Sequence, residues 1–147
     1  MTLTTENKKE KRYQRILTQL ESLLTKTDQP IPRMATIAAV LHHKMDHFFW
    51  TGFYLLVNGE LMVGPYQGAV ACQILKKNTG VCWSAIQKKD AEIVPDVHQF
   101  PGHIACDSRS NSEIVIPLFD KLGNIVGCLD VDSQKFNHFD DIDKIYL

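Results

Sequence analysis

The chain has 147 residues, a length typical of one domain, and 44% of them are apolar, enough to build a core without disulfides or metals. The formal charge is −1, from 16 basic and 17 acidic residues, which excludes a strongly basic nucleic-acid surface. No apolar run reaches the roughly 18 residues that span a bilayer, and the first residues lack the apolar stretch of a secretory signal. We expect residues 1–147 to form one cytoplasmic domain without membrane contacts.

The first third of the chain predicts two helices. Residues 8–26 carry apolar side chains at spacings of three and four, the pattern of an amphipathic helix. Residues 28–32 contain two prolines, which are expected to separate this helix from the next. The second helix is predicted over residues 33–46, and its core-facing residues are Met34, Ile37, Ala38, Leu41 and Met45.

From residue 48 the pattern changes to short strands. The first is predicted to end at Asn58-Gly59, a strong hairpin signal because both residues tolerate positive φ. Another short helix is expected at residues 82–88 and a last one, short for a helix that covers a sheet, at residues 137–147. The other predicted strands cover residues 61–65, 68–72, 93–97, 113–119 and 125–132. This order predicts an α+β fold with a mostly antiparallel sheet, whose strands and loops occupy residues 48–133.

Three of the four cysteines, Cys72, Cys82 and Cys106, lie within residues 64–112. In a reducing cytoplasm, clustered cysteines indicate redox chemistry or metal binding rather than a structural disulfide. Their spacings of 10 and 24 residues do not match the Cys-x2-Cys pairs of structural zinc sites. We therefore predict no metal, although a mixed site that includes nearby histidines stays open. The fourth, Cys128, lies between apolar residues and is predicted to pack in the core.

Cys106 has the surroundings of a reactive thiol. It lies in a polar, aperiodic loop, residues 98–110, and follows His98 and His103. Such a position favours access to solvent and a lowered thiol pKa, both of which reactivity requires. The neighbouring Asp107 would oppose a thiolate unless its side chain points away. From the residues alone, a redox-active or thiol-sensing domain is indicated.

Acidic and aromatic residues form a second group of candidates. Asp130 and Asp132 are two apart in a strand and share a face, and Glu113 lies in the preceding strand. Buried carboxylates need partners, which a cationic ligand would supply, although a solvated sheet face is an equally good interpretation. Trp50 and Tyr54 also share a face and offer cation–π contacts, although aromatic core packing is the more common role.

Several motifs together are similar to those of the free methionine-(R)-sulfoxide reductases, small proteins with the GAF fold. The resemblance runs from about residue 50 to residue 132 and is weaker in FDDIDKIYL. The motifs are FFWTGFYLL, LMVGPYQGAVACQIL, GVCWSA, VPDVHQFPGHIACDSRSNSEIVIPL and VGCLDVDS. This resemblance implies reduction of the R epimer of free methionine sulfoxide, recycling by thioredoxin, a homodimer and no cofactor or metal.

The resemblance also implies a role for each candidate residue. Cys106 matches the cysteine that attacks the sulfoxide, with Cys82 as the other candidate for the first attack. Cys72 matches the resolving cysteine, and Cys82 a third redox cysteine that is an alternative resolver. On chemical grounds, Glu113 or one of the two aspartates is expected to hold or transfer a proton to the sulfoxide oxygen. The residues that match the substrate-enclosing positions are Trp50, Tyr54, Glu113, Asp130 and Asp132.

Two positions depart from the family pattern. The family usually has glycine after the cysteine of GVC, where this chain has Trp83, which would reshape the cleft or limit the motion of Cys82. It usually has an aliphatic residue at the position of Cys128, which agrees with core packing. The alternative function is a non-catalytic GAF-type sensor of a small ligand or of thiol state.

Overall fold

A six-stranded antiparallel sheet forms the centre of the fold, so the predicted α+β class is confirmed. The computed structural model describes residues 2–103 and 108–147. The strands are β1 (Trp50–Val57), β2 (Glu60–Gln67), β3 (Ile74–Leu75), β4 (Glu92–Val94), β5 (Ser112–Phe119) and β6 (Ile125–Ser133), in the spatial order β3-β2-β1-β6-β5-β4. The helices are α1 (Thr2–Leu23), α2 (Pro30–Lys44), α3 (Gly80–Lys88) and α4 (Asp141–Tyr146), with a short 3-10 helix at Val97–Gln99.

Alternating side chains of the strands divide the core between the two faces of the sheet. On one face Phe53 and Val131 pack against apolar residues of α1 and α2, among them Leu41. On the other face Tyr54 and Val115 pack against residues of α3. Because α3 is short, it covers only part of the second face of the sheet. The loops around α3 border a cleft on the rest of this face.

The two prolines between the predicted helices lie inside α2, which begins at Pro30 rather than at residue 33. Proline is tolerated in the first turn because the N–H that it lacks has no partner within the helix there. The last helix is shorter than predicted, since Asn137 has a φ of 51° and α4 begins only after Asp140. Asp140 is the N-cap and accepts hydrogen bonds from the backbone N–H groups of Ile142 and Asp143.

The strand predicted at residues 68–72 is absent, and the chain pairs with β2 only at Ile74–Leu75. Gly68 has a φ of 124°, and a Cβ there would lie 2.9 Å from the carbonyl oxygen of Phe49. The Trp50 indole donates a hydrogen bond of 3.1 Å to the carbonyl oxygen of Ala69. This contact holds the segment over the sheet, where it becomes a wall of the cleft rather than an edge strand.

The strand predicted at residues 93–97 is shorter in the structure, where β4 ends at Val94. Pro95 follows, and proline has no N–H for a sheet ladder. The chain then enters the short 3-10 helix, for which Asp96 is the N-cap. Across the described ranges, no helix is long and apolar enough to cross a membrane.

Candidate active site

The candidate residues that the structure describes meet in a cleft of about 210 Å³ on the α3 face of the sheet. Aromatic side chains of β1, acidic side chains of β5 and β6, the first turn of α3 and the segment around Cys72 line this cleft. A larger groove of about 740 Å³ between α1 and α2 has mostly apolar walls and contains none of the candidates. The cleft therefore holds the residues from which chemistry is expected.

Three acidic side chains form the floor of the cleft. Strand pairing places Glu113 directly opposite Asp132, while Asp130 lies two residues along β6 on the same face. Glu113 and Asp130 are buried, at 6% and 5% exposure. Glu113 is in hydrogen-bonding contact with both aspartates. The interpretation that these acids only solvate a sheet face is therefore wrong for Glu113 and Asp130.

Burial raises the pKa of two acids on the cleft floor, Glu113 and Asp130. Burial, together with the charges of Asp130 and Asp132, raises the pKa of Glu113 well above its usual range. Burial also raises the pKa of Asp130, although hydrogen bonds from Glu113, Cys82 and Asp132 oppose that shift. Glu113 is thus a protonated carboxyl that donates to a neighbouring carboxylate. The Oδ1 atom of Asp130 is buried and has no hydrogen-bond partner among the described residues, so it is an acceptor available to a ligand.

An aromatic wall stands next to the acids. Trp50 stacks on Tyr54 and on Tyr66, with ring centroids 5.7 and 5.2 Å apart. Trp50 is also opposite Asp132 in the pairing of β1 with β6. Burial and nearby Asp130 raise the pKa of Tyr54, so its hydroxyl stays protonated. The shared face predicted for Trp50 and Tyr54 is confirmed, and both side chains line the cleft.

The first turn of α3 forms the wall above the acids. Gly80, Val81 and Cys82 line the cleft, and Thr79, the N-cap, makes no side-chain capping bond. The first N–H groups of a helix have no partner within the helix, and the helix dipole makes this end attractive to anions. Lys76 also lines the cleft and adds a cation. The cleft therefore has an acidic floor and a wall that suits an anion.

Cys82 is a buried thiol in the first turn of α3, on the side that faces Asp130. Its side chain is 5% exposed, and it contacts Cys128 and donates a hydrogen bond to Asp130. The contact with Cys128, burial and nearby Asp130 raise its pKa well above the usual range. A thiol attacks as the thiolate, so this environment makes Cys82 a poor first nucleophile. Cys128 is fully buried, as predicted.

Cys72 lines the cleft and is disulfide-bonded, whereas Cys82 and Cys128 are free thiols. Cys106, the predicted attacking cysteine, lies outside the described residues, as does Asp107. The predicted roles of these cysteines therefore stay predictions.

Of the two histidines that precede Cys106 in the sequence, the structure brings only His103 to the cleft. Burial lowers the pKa of His103, so it is neutral at pH 7. His98 is turned away and makes a 2.9 Å hydrogen bond with Asp96.

A metal-ligand set exists that the cysteine spacing did not predict. One ligand atom each from Cys82, Glu113 and Asp130 lie within 4.8 Å of one another. A metal ion requires a thiolate and carboxylates, whereas contact with Cys128 raises the pKa of Cys82 and burial raises the pKa of Glu113, and both shifts disfavour the charged forms. A structural zinc site also needs a fourth ligand. The set fits proton exchange better than metal binding.

The sequence did not identify Lys76, Ser110, Val81 or Gly80 as residues of the cleft. Ser110 is 8% exposed, and its burial in a polar loop has no periodic signal. A glycine at the start of a predicted helix was the available signal for the anion-binding wall. Trp83 does not line the cleft and packs instead in the cluster around α3.

Comparisons with known proteins agree with this geometry. The chain is 51% identical to GAF domain-containing protein A of Dictyostelium discoideum, over 95% of this chain and 87% of that protein. It is 44% identical to the free methionine-R-sulfoxide reductase of Escherichia coli, over 76% of this chain and 67% of that protein.

A solved structure extends the similarity to three dimensions. The X-ray structure of free methionine-R-sulfoxide reductase from Neisseria meningitidis in complex with its substrate superposes with a TM-score of 0.88. It is 40% identical and covers 94% of this chain and 83% of that one. No protein-family profile matches the chain.

Proposed function

Because the chain belongs to the free methionine-R-sulfoxide reductases and has the GAF fold, we propose that it reduces the R epimer of free methionine sulfoxide to methionine. The observation that carries the proposal is the buried acidic floor of a cleft that also contains Cys72 and Cys82. Free methionine sulfoxide has an ammonium, a carboxylate, a polar S=O group and a methyl group. The cleft offers a complementary surface to each of them.

The charged ends of the substrate bind to opposite parts of the cleft. The ammonium donates to Asp130, whose Oδ1 atom has no other partner in the described parts of the chain. The carboxylate accepts from the N–H groups at the start of α3, close to Lys76. The side chain then lies against the Trp50 and Tyr54 rings, which line the same cleft.

Glu113 supplies the proton for the sulfoxide oxygen. Its raised pKa favours the protonated carboxyl, which is the state that a general acid requires. Protonation of the oxygen makes the sulfur more electrophilic. Hydrogen-bonding contacts with Asp130 and Asp132 restrain the orientation of the Glu113 carboxyl.

The redox chemistry belongs to the cysteines. The thiolate of Cys106 attacks the sulfur, methionine leaves, and the oxygen remains on Cys106 as a sulfenic acid. Cys72 then attacks this sulfenic acid, which releases water and closes a disulfide. The disulfide-bonded state of Cys72 supports its role as the resolving cysteine. The raised pKa of Cys82 favours Cys106 over Cys82 as the first nucleophile.

Recycling and assembly follow from the same proposal. A dithiol of low potential, such as thioredoxin at about −270 mV, reduces the disulfide and restores the two thiols. This cycle suits the reducing cytoplasm, where a disulfide is transient rather than structural. We place the enzyme there as a homodimer of single-domain chains that uses no cofactor.

Consumption of racemic free methionine sulfoxide tests the function. With thioredoxin, its reductase and NADPH, conversion is expected to stop at half, because only the R epimer is reduced. Chiral analysis of the remaining sulfoxide is expected to show the S epimer. Complete conversion would contradict the epimer selectivity, and tight binding without consumption would identify a sensor instead of an enzyme.

A further inference from the structure

The proposed reaction leaves one pair of thiols unused. Cys82 and Cys128 are both free, and their side chains are in hydrogen-bonding contact within the cluster that packs around α3. Cys128 lies on β6 two residues before Asp130, so it projects from the same face, beneath the cleft. Cys82 lines the cleft and therefore stands between Cys128 and the space that Cys72 also lines.

We propose that Cys82 and Cys128 are a second dithiol, which takes over the disulfide of Cys72 and allows a second turnover before any external reductant is needed. The proposal rests on the proposed function, since the first disulfide arises from sulfoxide reduction. It gives Cys128 a redox role in addition to the core packing that the sequence predicts. An aliphatic side chain would fill the same space but would leave Cys82 without a partner thiol.

The transfer consists of two thiol–disulfide exchanges that conserve electrons. Cys82 attacks the sulfur of Cys72, an S–S bond forms between them, and the former partner of Cys72 leaves as a thiolate. Cys128 then attacks Cys82, and Cys72 leaves as the second thiolate. The two protons of Cys82 and Cys128 pass to the two departing thiolates. The net change is oxidation of one dithiol and reduction of the other, with no further oxidant.

The surroundings of Cys82 support this sequence of steps. Asp130 accepts a hydrogen bond from the Cys82 thiol and so provides an acceptor for the proton that Cys82 must lose. Cys128 is fully buried, so external oxidants and reductants do not reach it directly, whereas Cys82 is in contact with it. The burial that slows attack by Cys82 also makes the exchange slower than the first turnover. Methionine release is therefore expected to show two kinetic phases, a fast one followed by a slow one.

A reductant-free turnover experiment tests the proposal. The protein is fully reduced, freed from reductant under anaerobic conditions and mixed with excess free methionine-(R)-sulfoxide, and methionine per chain is counted. About two equivalents are expected, in a fast and a slow phase, because each sulfoxide consumes two thiols. Non-reducing peptide mapping after alkylation is expected to show a peptide that links Cys82 to Cys128.

The control variant is Cys128→Val, which keeps an apolar side chain of similar size. It is expected to give about one equivalent of methionine and to retain one alkylatable thiol, because the second disulfide cannot form.

One equivalent of methionine from the unsubstituted chain, without the linked peptide, would overturn the second dithiol but leave the proposed function intact. Two equivalents of methionine from both the unsubstituted chain and Cys128→Val would also overturn the second dithiol. No methionine at all would overturn the proposed function, and the second dithiol with it. Peptide mapping of the unsubstituted chain decides the question if the variant does not fold.

Discussion

Replacement of Cys106 by serine is expected to abolish turnover of free methionine-(R)-sulfoxide, with a loss of at least about 10³-fold in kcat. A serine hydroxyl is not ionised at neutral pH and cannot carry the oxygen as a sulfenic acid. Cys82 is a poor replacement, because its contact with Cys128 and its burial raise its thiol pKa well above the usual range. The thioredoxin-coupled assay measures the loss.

The matched control is Cys72→Ser, which removes the proposed resolving thiol and keeps the nucleophile. It is expected to release about one equivalent of methionine in a single turnover and to leave a sulfenic acid that a dimedone probe labels. Cys106→Ser should release none. Methionine release by Cys106→Ser, together with none from Cys82→Ser, would assign the attack to Cys82 instead.

Replacement of Glu113 by glutamine is expected to lower the rate at saturating substrate by about 10²–10⁴-fold. The amide has nearly the same shape but no acidic proton for the sulfoxide oxygen. Since burial raises the pKa of Glu113, the active protonated form is lost only as the pH rises through that raised value. The rate of the unsubstituted chain should therefore fall on the alkaline side, and this limb should disappear in Glu113→Gln. A pH profile of kcat measures both effects.

Asp130→Asn is the comparison that separates proton transfer from binding. Asp130 is also buried on the cleft floor, but its Oδ1 atom is the acceptor that we propose for the ammonium of the substrate. This variant should mainly raise KM, because the charge on the ammonium is present in the ground state and in the transition state alike. A purely KM effect in Glu113→Gln would show that Glu113 binds substrate and does not supply the proton.

The two-residue period of side chains along a strand predicted which residues of each strand share the face at the cleft floor. Asp130 and Asp132 share a face, as do Trp50 and Tyr54, because residues two or four apart in a strand project together. What the period does not contain is the pairing register, which places Glu113 next to Asp132. Protonation of Glu113 depends on that register and on burial, so it follows only from the three-dimensional arrangement.

Long-range packing explains the errors in the prediction. The segment at residues 68–72 has the composition of a strand, but the indole of Trp50, 19 residues before Ala69, holds it over the cleft. The contact of Cys82 with Cys128 joins residues 46 apart in the sequence and raises the pKa of Cys82. Neither contact has a local sequence signal. Trp83 does not line the cleft and its side chain packs in the core, while its effect on the motion of Cys82 stays a prediction.

The central claim is that buried acids on the cleft floor select the free amino acid. The most direct test is the ratio of kcat/KM for free methionine-(R)-sulfoxide to that for its N-acetyl derivative, measured with the same preparation. Acetylation replaces the ammonium by a neutral amide, and a buried carboxylate that loses its partner is heavily penalised. We expect the free amino acid to be preferred by about 10³-fold or more. Equal values for the two compounds would contradict the account.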